Sequence, residues 1–230
     1  MATVQLFATC LGDLIFPDAV RDAETLLRDA GCEGEFPHGQ VCCGQPAFNS
    51  GHRRAARRVA RTFTRAFSRS APVVLASGSC ATMLSHYLPE LLGVEPYDVW
   101  ELSSFLHDRG IEPPRRNDGV SVAYHDSCHM LRELHVHEAP RRLLEASGAQ
   151  LVDLPRPDLC CGFGGTFSVR QPEVSLAMAD DKLGGAAGAD ALVTADPGCL
   201  MHLRGRADDA RAPHHPRVVH LATALARGIA

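Results

Sequence analysis

A cysteine pattern that occurs twice constrains this chain more than any other feature. Cys10 is followed by the adjacent pair Cys42-Cys43 and then by Cys80, and Cys128 is followed by Cys160-Cys161 and then by Cys199. The first interval is 32 positions in both halves; from the pair to the last cysteine it is 37 positions in one half and 38 in the other. Eight of the nine cysteines belong to the pattern, and each pair is followed directly by glycine, Gly44 or Gly162. Four thiols carried on three separate loops and repeated once per half point to a metal or cluster site in each half.

The text around the cysteines repeats as well. Val4-Gln5-Leu6-Phe7 before Cys10 answers to Val120-Ser121-Val122-Ala123-Tyr124 before Cys128. Leu26-Leu27 followed by Gly31 answers to Leu143-Leu144 followed by Gly148, and Val73-Val74-Leu75 leading to Gly78-Ser79-Cys80 answers to Ala191-Leu192-Val193 leading to Pro197-Gly198-Cys199. The offset stays close to 118 positions, which is far longer than the roughly 20–50 residues of a solenoid repeat. Duplication and fusion into two lobes related by a pseudo-twofold axis is the simplest account.

Short apolar runs alternate with amphipathic stretches, an order that predicts an α/β fold of two Rossmann-like lobes, each with a mainly parallel sheet flanked by helices. In the first lobe a strand is expected over Val4–Thr9, a helix over Pro17–Ala30 ended by Gly31, a helix over His52–Ser70, a strand over Val73–Ala76 and a helix over Ala81–Leu92. In such sheets sites gather at the carboxyl ends of strands, where this reading places Cys10, Cys80, Cys128 and Cys199. Arg109 to Gly119, with Pro113-Pro114 at its centre, cannot continue a helix and has little to bury. It is expected to link an N-terminal lobe, 1–112, to a C-terminal lobe, 120–230.

Composition narrows the function classes. A 45% hydrophobic share is ordinary for a globular protein, and the net charge of −4 gives no bulk attraction to nucleic acid. No run approaches the ~18 apolar residues of a membrane span, and the N-terminus has no leader-like apolar core. A cytoplasmic location is therefore expected, where thiols stay reduced and clustered cysteines more often hold metal than form disulfides.

The two longest matching stretches, Cys42-Cys43-Gly44-Gln45-Pro46-Ala47-Phe48-Asn49-Ser50-Gly51 and Cys160-Cys161-Gly162-Phe163-Gly164-Gly165-Thr166-Phe167-Ser168, resemble the signatures of the duplicated cysteine-rich CCG-domain family. That family includes the cysteine-rich component of heterodisulfide reductase, iron–sulfur components of glycolate oxidase and anaerobic glycerol-3-phosphate dehydrogenase, and the lactate-utilisation protein A group, whose two stretches these most resemble. The resemblance covers essentially the whole chain. It implies a cytosolic iron–sulfur electron-transfer subunit of a complex that oxidises L-lactate to pyruvate, working with a ferredoxin-type iron–sulfur subunit and one further subunit. No ferredoxin-type cysteine run is present in this chain, and Gly162-Phe163-Gly164-Gly165 lacks the spacing of a dinucleotide fingerprint. Its glycines are expected instead to turn the backbone tightly and aim amide N–H groups at cluster sulfurs.

In heterodisulfide-reductase-type domains the last cysteine belongs to Cys-x-x-Cys, and five thiols hold a non-cubane cluster. Met83 and His202 occupy the fifth positions here. Four thiols per lobe remain, the number an ordinary 4Fe-4S cubane takes. Cys10, Cys42, Cys43 and Cys80 are thus the expected ligands of one cluster, and Cys128, Cys160, Cys161 and Cys199 of a second. Zinc in one lobe is an alternative, since Zn²⁺ also accepts four thiolates. A thiol–disulfide reductase and a zinc-stabilised scaffold without redox function are the competing functional classes.

Cys32 has no counterpart and reads as a buried structural thiol. His125 and His129, close to Cys128, read first as structural, with a donor, ligand or proton-transfer role left open. His214, His215 and His220 read as surface residues. No residue is singled out as catalytic. Arg53, Arg57, Arg61, Arg65 and Arg69 form an i, i+4 stripe with Arg54 and Arg58 beside it. Such a stripe reads as a solvated face, or alternatively as a docking surface for an acidic partner.

Overall fold

The computed structural model describes residues 2–209 and 215–229. They form two four-stranded sheets, both wholly parallel. The first contains β1 (Ala2–Leu6), β2 (Cys32–Glu35), β3 (Val73–Leu75) and β4 (Val99–Glu101) in the order β2-β1-β3-β4. The second contains β5 (Ser121–His125), β6 (Gln150–Val152), β7 (Ala191–Thr194) and β8 (Arg217–His220) in the corresponding order β6-β5-β7-β8. The duplication legible in the cysteines is thus also a duplication of topology.

The strand order decides where a site can form. From β1 the chain crosses to β2 on one side and then returns to β3 on the other, so loops diverge above β1 and β3 and leave a crevice at their carboxyl ends. Cys10 follows β1 and Cys80 follows β3; Cys128 and Cys199 stand in the same relation to β5 and β7. β3 is apolar throughout and β7 nearly so: Val73, Val74 and Leu75 are fully buried, as are Ala191, Leu192 and Val193, because helices cover both faces of each parallel sheet.

Most expected elements form, with shifted ends. The helix Pro17–Asp29 starts with proline at its first position and buries Ala19, Ala23, Leu26 and Leu27. The arginine-rich helix runs over Arg53–Ala66, burying Ala56, Ala60 and Phe63, and ends before Ser70 because Phe67 is extended and packs inward. The helix expected over Ala81–Leu92 begins earlier, at Gly78, where the Ser77 hydroxyl accepts from the Cys80 amide. It widens to a π-turn over Met83–Tyr87 before Leu88–Leu92. Pro89 lacks the N–H that a regular ladder would use, and the wide turn lies directly before it.

A shared apolar core joins the lobes. Val4, Leu6 and Leu27 from the first sheet and its helix lie in one cluster with Val122, Tyr124 and Leu144 from the second half and Leu225 of the C-terminal helix Leu221–Arg227. The connecting segment buries more than its composition suggests. Asn117 is fully buried, and its side-chain amide donates to the Ser147 hydroxyl (2.9 Å) and the Ala224 carbonyl (2.9 Å). Among the described residues no helix is long and apolar enough to cross a membrane.

Candidate metal centre

Local backbone chemistry delivers each cysteine. Cys10 and Cys128 open short helices whose N-caps, Thr9 and Ser127, accept from the amides of Gly12 (3.0 Å) and Met130 (3.3 Å). Cys80 and Cys199 lie in the first turns of helices capped by Ser77 and by Asp196, whose carboxylate accepts from the Gly198 amide at 3.0 Å. Ser, Thr and Asp in these places satisfy amides that a helix start leaves without partners. The paired cysteines come from loops that turn at glycine: Gly44 has φ 92° and Gly162 φ 95°, a region L-residues rarely adopt. A Cβ on Gly162 would also stand 2.4 Å from the Ser175 carbonyl oxygen. These turns aim amides at cysteine sulfur, Gly44 N to Cys42 Sγ at 3.4 Å and Gly162 N to Cys160 Sγ at 3.3 Å.

In the N-terminal lobe all four thiols converge. Cys10 and Cys42 are 3.7 Å apart sulfur to sulfur, and Cys43 and Cys80 are 3.2 Å apart. Hydrogen bonds from Cys10 and then Cys43 pull Cys42 down to about 3, while Cys10, on the other side of that bond, is pushed well up. The C-terminal lobe repeats this: bonds from Cys128 and then Cys161 pull Cys160 down to about 2, and Cys161 bonds to Cys199. Each set therefore holds one thiolate ready-made, stabilised by neighbouring thiols and by a glycine amide. All nine cysteines are free thiols.

Both sets open on one cleft. A cavity of about 500 Å³ between the lobes is lined by Cys10, Cys43 and Cys80 from one side and by Cys128, Cys160, Cys161 and Cys199 from the other. Among the described residues neither lysine nor arginine lines it; the polar contributors include Gln45, Ser79, His129, Thr166 and Asp196. The seam is tied by Asp196, whose second carboxylate oxygen accepts from the Ser79 amide at 2.7 Å and from the Ser77 hydroxyl at 3.3 Å. Gln45 donates to the Ser79 carbonyl (3.0 Å) and lies 3.1 Å from His129 Nε2, while His129 Nδ1 is 3.6 Å from Cys128 Sγ. Tyr87 donates to Glu133 across the same boundary.

Sequence reasoning missed Gln45 and Asp196 as site residues. Asp196 carried a legible signal as the N-cap before Pro197, but its reach across the lobes depends on tertiary structure. Met83 is buried in the apolar shell that also holds Cys43, Cys80 and Leu84. His202 braces the glycine turn: its Nε2 lies 3.1 Å from the Ser175 hydroxyl, which donates to the Gly162 carbonyl at 2.8 Å. Cys32 is buried in the shared core. His125 is fully buried, and among the described residues neither ring nitrogen has a hydrogen-bond partner. The expectation of a surface position fails for His220, which is buried at the end of β8 and caps the last helix through Nδ1, accepting from the Ala222 amide at 3.1 Å. Its strand position, with alternate apolar neighbours, outweighs the polarity of the ring. His215 is half-buried, and His214 lies outside the described residues.

The arginine stripe is exposed along Arg53, Arg57, Arg61 and Arg65. Arg57 donates to the Leu91 carbonyl (3.1 Å), and Arg53 stacks over Phe48 at 3.7 Å. Arg69 lies beyond the helix, reaching the carbonyls of Pro96 and Glu95 and covering Tyr97.

Comparison with known proteins agrees with this duplicated architecture. The CCG cysteine-rich domain matches residues 4–85 and again residues 122–204. A lactate utilization protein A of Halalkalibacterium halodurans is 42% identical, with 96% of each chain covered. One of Geobacillus kaustophilus is 42% identical over 96% of this chain and 98% of that one, and a lactate utilization protein A 2 of Bacillus cereus is 38% identical over 98% of both. Among solved structures, a hypothetical protein from Helicobacter pylori superposes with a TM-score of 0.60 at 11% identity, covering 99% of this chain and 49% of that one. This chain spans about half of that structure, and the likeness is one of fold.

Proposed function

The chain belongs to the family of duplicated cysteine-rich CCG-domain proteins, and from that premise we propose that it is an iron–sulfur electron-transfer subunit serving lactate oxidation. The observation that carries this reading is the gathering of eight thiols in two sets of four, seven of which line one inter-lobe cleft. The donor set suits the group: soft thiolates, glycine amides directed at sulfur, and apolar residues behind Cys43, Cys80, Cys161 and Cys199. Clusters held by Cys10, Cys42, Cys43 and Cys80, and by Cys128, Cys160, Cys161 and Cys199, would supply one-electron transfer there. Lobes 1–112 and 120–230 each contribute one set.

The protein's own residues hold the two sets on opposite walls of a common opening, with Asp196 bonded to the Ser79 amide and Gln45 set against His129 across it. Substrate oxidation is assigned to a partner in the cytoplasmic lactate-utilisation system, and this chain is assigned the receipt and passing on of electrons. A ferredoxin-type iron–sulfur subunit and one further subunit are the partners proposed.

One observation favours a second reading. Sulfur separations of 3.2 and 3.7 Å approach the edge of a single-ion tetrahedral site, about 3.8 Å for a Zn–S bond of ~2.3 Å. A cluster would spread the thiols further. Anaerobic reconstitution separates the two readings: about eight iron and eight sulfide per chain are expected for two cubanes. Stoichiometric zinc with no sulfide would overturn the electron-transfer function.

A further inference from the structure

The two thiol sets are not equivalent, and the difference lies three residues before the first cysteine of each. In the C-terminal lobe that residue is His125, the last residue of β5; in the N-terminal lobe it is Phe7, directly after β1. Phe7 is packed among aromatic rings, 6.0 Å from Phe63 and 5.5 Å from Phe67 centroid to centroid. Its side chain offers no donor atom. His125 is wholly buried, yet among the described residues neither of its ring nitrogens finds a hydrogen-bond partner.

A buried imidazole with both nitrogens unsatisfied is costly and calls for an explanation. Here the surroundings offer one. A ring nitrogen of His125 and the sulfurs of Cys161 and Cys199 all lie within 4.8 Å of one another, so three soft or borderline donors from three elements converge on one point. Imidazole nitrogen and thiolate sulfur are compatible ligands for iron and for zinc, with bond lengths of ~2.0–2.1 Å and ~2.3 Å to zinc. No fourth element needs to move to bring them together, since β5 and β7 are paired neighbours and carry His125 and the approach to Cys199 side by side.

We propose that His125 is a ligand of the C-terminal metal site beside Cys161 and Cys199, so that this site has mixed nitrogen and sulfur donors while the N-terminal site is bound by sulfur alone. The proposal rests on the reading that the C-terminal thiols bind metal. It goes beyond that reading in making the two halves chemically distinct, with a neutral imidazole donor added to the thiolates of one site and none at the other.

The test uses the intact chain, reconstituted anaerobically and reduced, in natural abundance and with ¹⁵N-labelled histidine. Pulsed electron paramagnetic resonance should show a ligand-strength nitrogen coupling that changes with the label. The coupling should persist in Cys43→Ser, which disrupts the N-terminal site, and in His129→Gln, which removes the other ring close to Cys128. It should vanish in His125→Phe and in His125→Asn, the second variant guarding against a packing failure in the first. If the bound metal is zinc, X-ray absorption on the Cys43→Ser protein should show nitrogen in the zinc shell that is lost when His125→Asn is added. Metal bound with sulfur ligation alone, or a coupling that survives removal of His125, overturns this proposal and leaves the metal-binding reading standing. A chain that takes up neither iron nor zinc at its C-terminal thiols overturns both.

Discussion

Replacing Asp196 with alanine should weaken the fold by about 2.5–4 kcal/mol, because one carboxylate performs two separable tasks. One oxygen caps the helix Pro197–Ala207 through the Gly198 amide, and loss of such a cap costs about 1 kcal/mol. The other accepts from the Ser79 amide at 2.7 Å across the lobe boundary, a hydrogen bond to a charged acceptor of the kind worth roughly 1.5–3 kcal/mol. The longer contact from the Ser77 hydroxyl, 3.3 Å, adds little. Asp196 is buried, so water cannot replace the carboxylate freely. For a chain of this size each kcal/mol moves the melting temperature by about 2–4 °C, which puts the expected fall at roughly 5–16 °C. Asp196→Asn should lose about half as much, since the amide retains a capping oxygen but turns an N–H₂ donor toward the seam. Urea titration and calorimetry of the three proteins at neutral pH measure these differences. An alanine variant within about 1 kcal/mol of the parent would show that neither the cap nor the seam bond carries the assigned weight.

Three further outcomes are expected. Cys32→Ser should leave metal content unchanged, since Cys32 lies in the shared core, whereas Cys43→Ser and Cys161→Ser should each remove one site's metal; atomic absorption decides, and a halved content in the Cys32 variant would contradict the ligand sets. Charge reversal at Arg57, Arg61 and Arg65 should slow association with partner subunits at low salt, with the gap closing as the Debye length falls below ~10 Å above 0.1 M. Equal, salt-insensitive association rates in both proteins would return the stripe to an ordinary solvated surface. Glu101, at the end of β4, is pushed up to about 7 by burial, although the Ser103 and Ser104 amides partly offset this. Its folded value lies above its unfolded 4.5, so the protonated carboxyl supports the fold fully below pH 4.5 and that support is lost as pH rises through 7. Buried His220, pushed down to about 4, acts oppositely between 6.5 and 4, so the informative quantity is the stability of the parent minus that of Glu101→Gln. That difference should fall by about 3 kcal/mol from pH 4.5 to 7.5, and a flat line would exclude the buried acid.

The cysteine spacing, the glycines after each pair and the parallel run of apolar segments were legible because each is a local or periodic requirement. A strand buried on both faces must be apolar along its length, as Val73-Val74-Leu75 is; a loop that turns at positive φ needs glycine, as at Gly44 and Gly162. β2 was not legible. Its sequence, Cys32-Glu33-Gly34-Glu35, is polar and mostly exposed, and it is a strand because β1 offers an unpaired edge beside it. β4 and the helix Leu102–Asp108 escaped for a related reason: the strand is three residues long, and its cap is the buried acid Glu101.

The sequence by itself determined that there would be two thiol sets on two repeated α/β halves, because ligand count, glycine turns and strand alternation are written in residue types at fixed intervals. Tertiary structure alone decided that the two sets share one cleft, that Asp196 spans the boundary to the Ser79 amide, and that buried His125 stands beside Cys161 and Cys199 while Phe7 fills the matching place in an aromatic cluster. These depend on how two separately encoded sheets pack through the shared core of Leu6, Leu27, Tyr124 and Leu225. Apolar packing has no direction of its own, so only the mutual fit of the assembled surfaces sets the angle between the halves, and with it the relation between their sites.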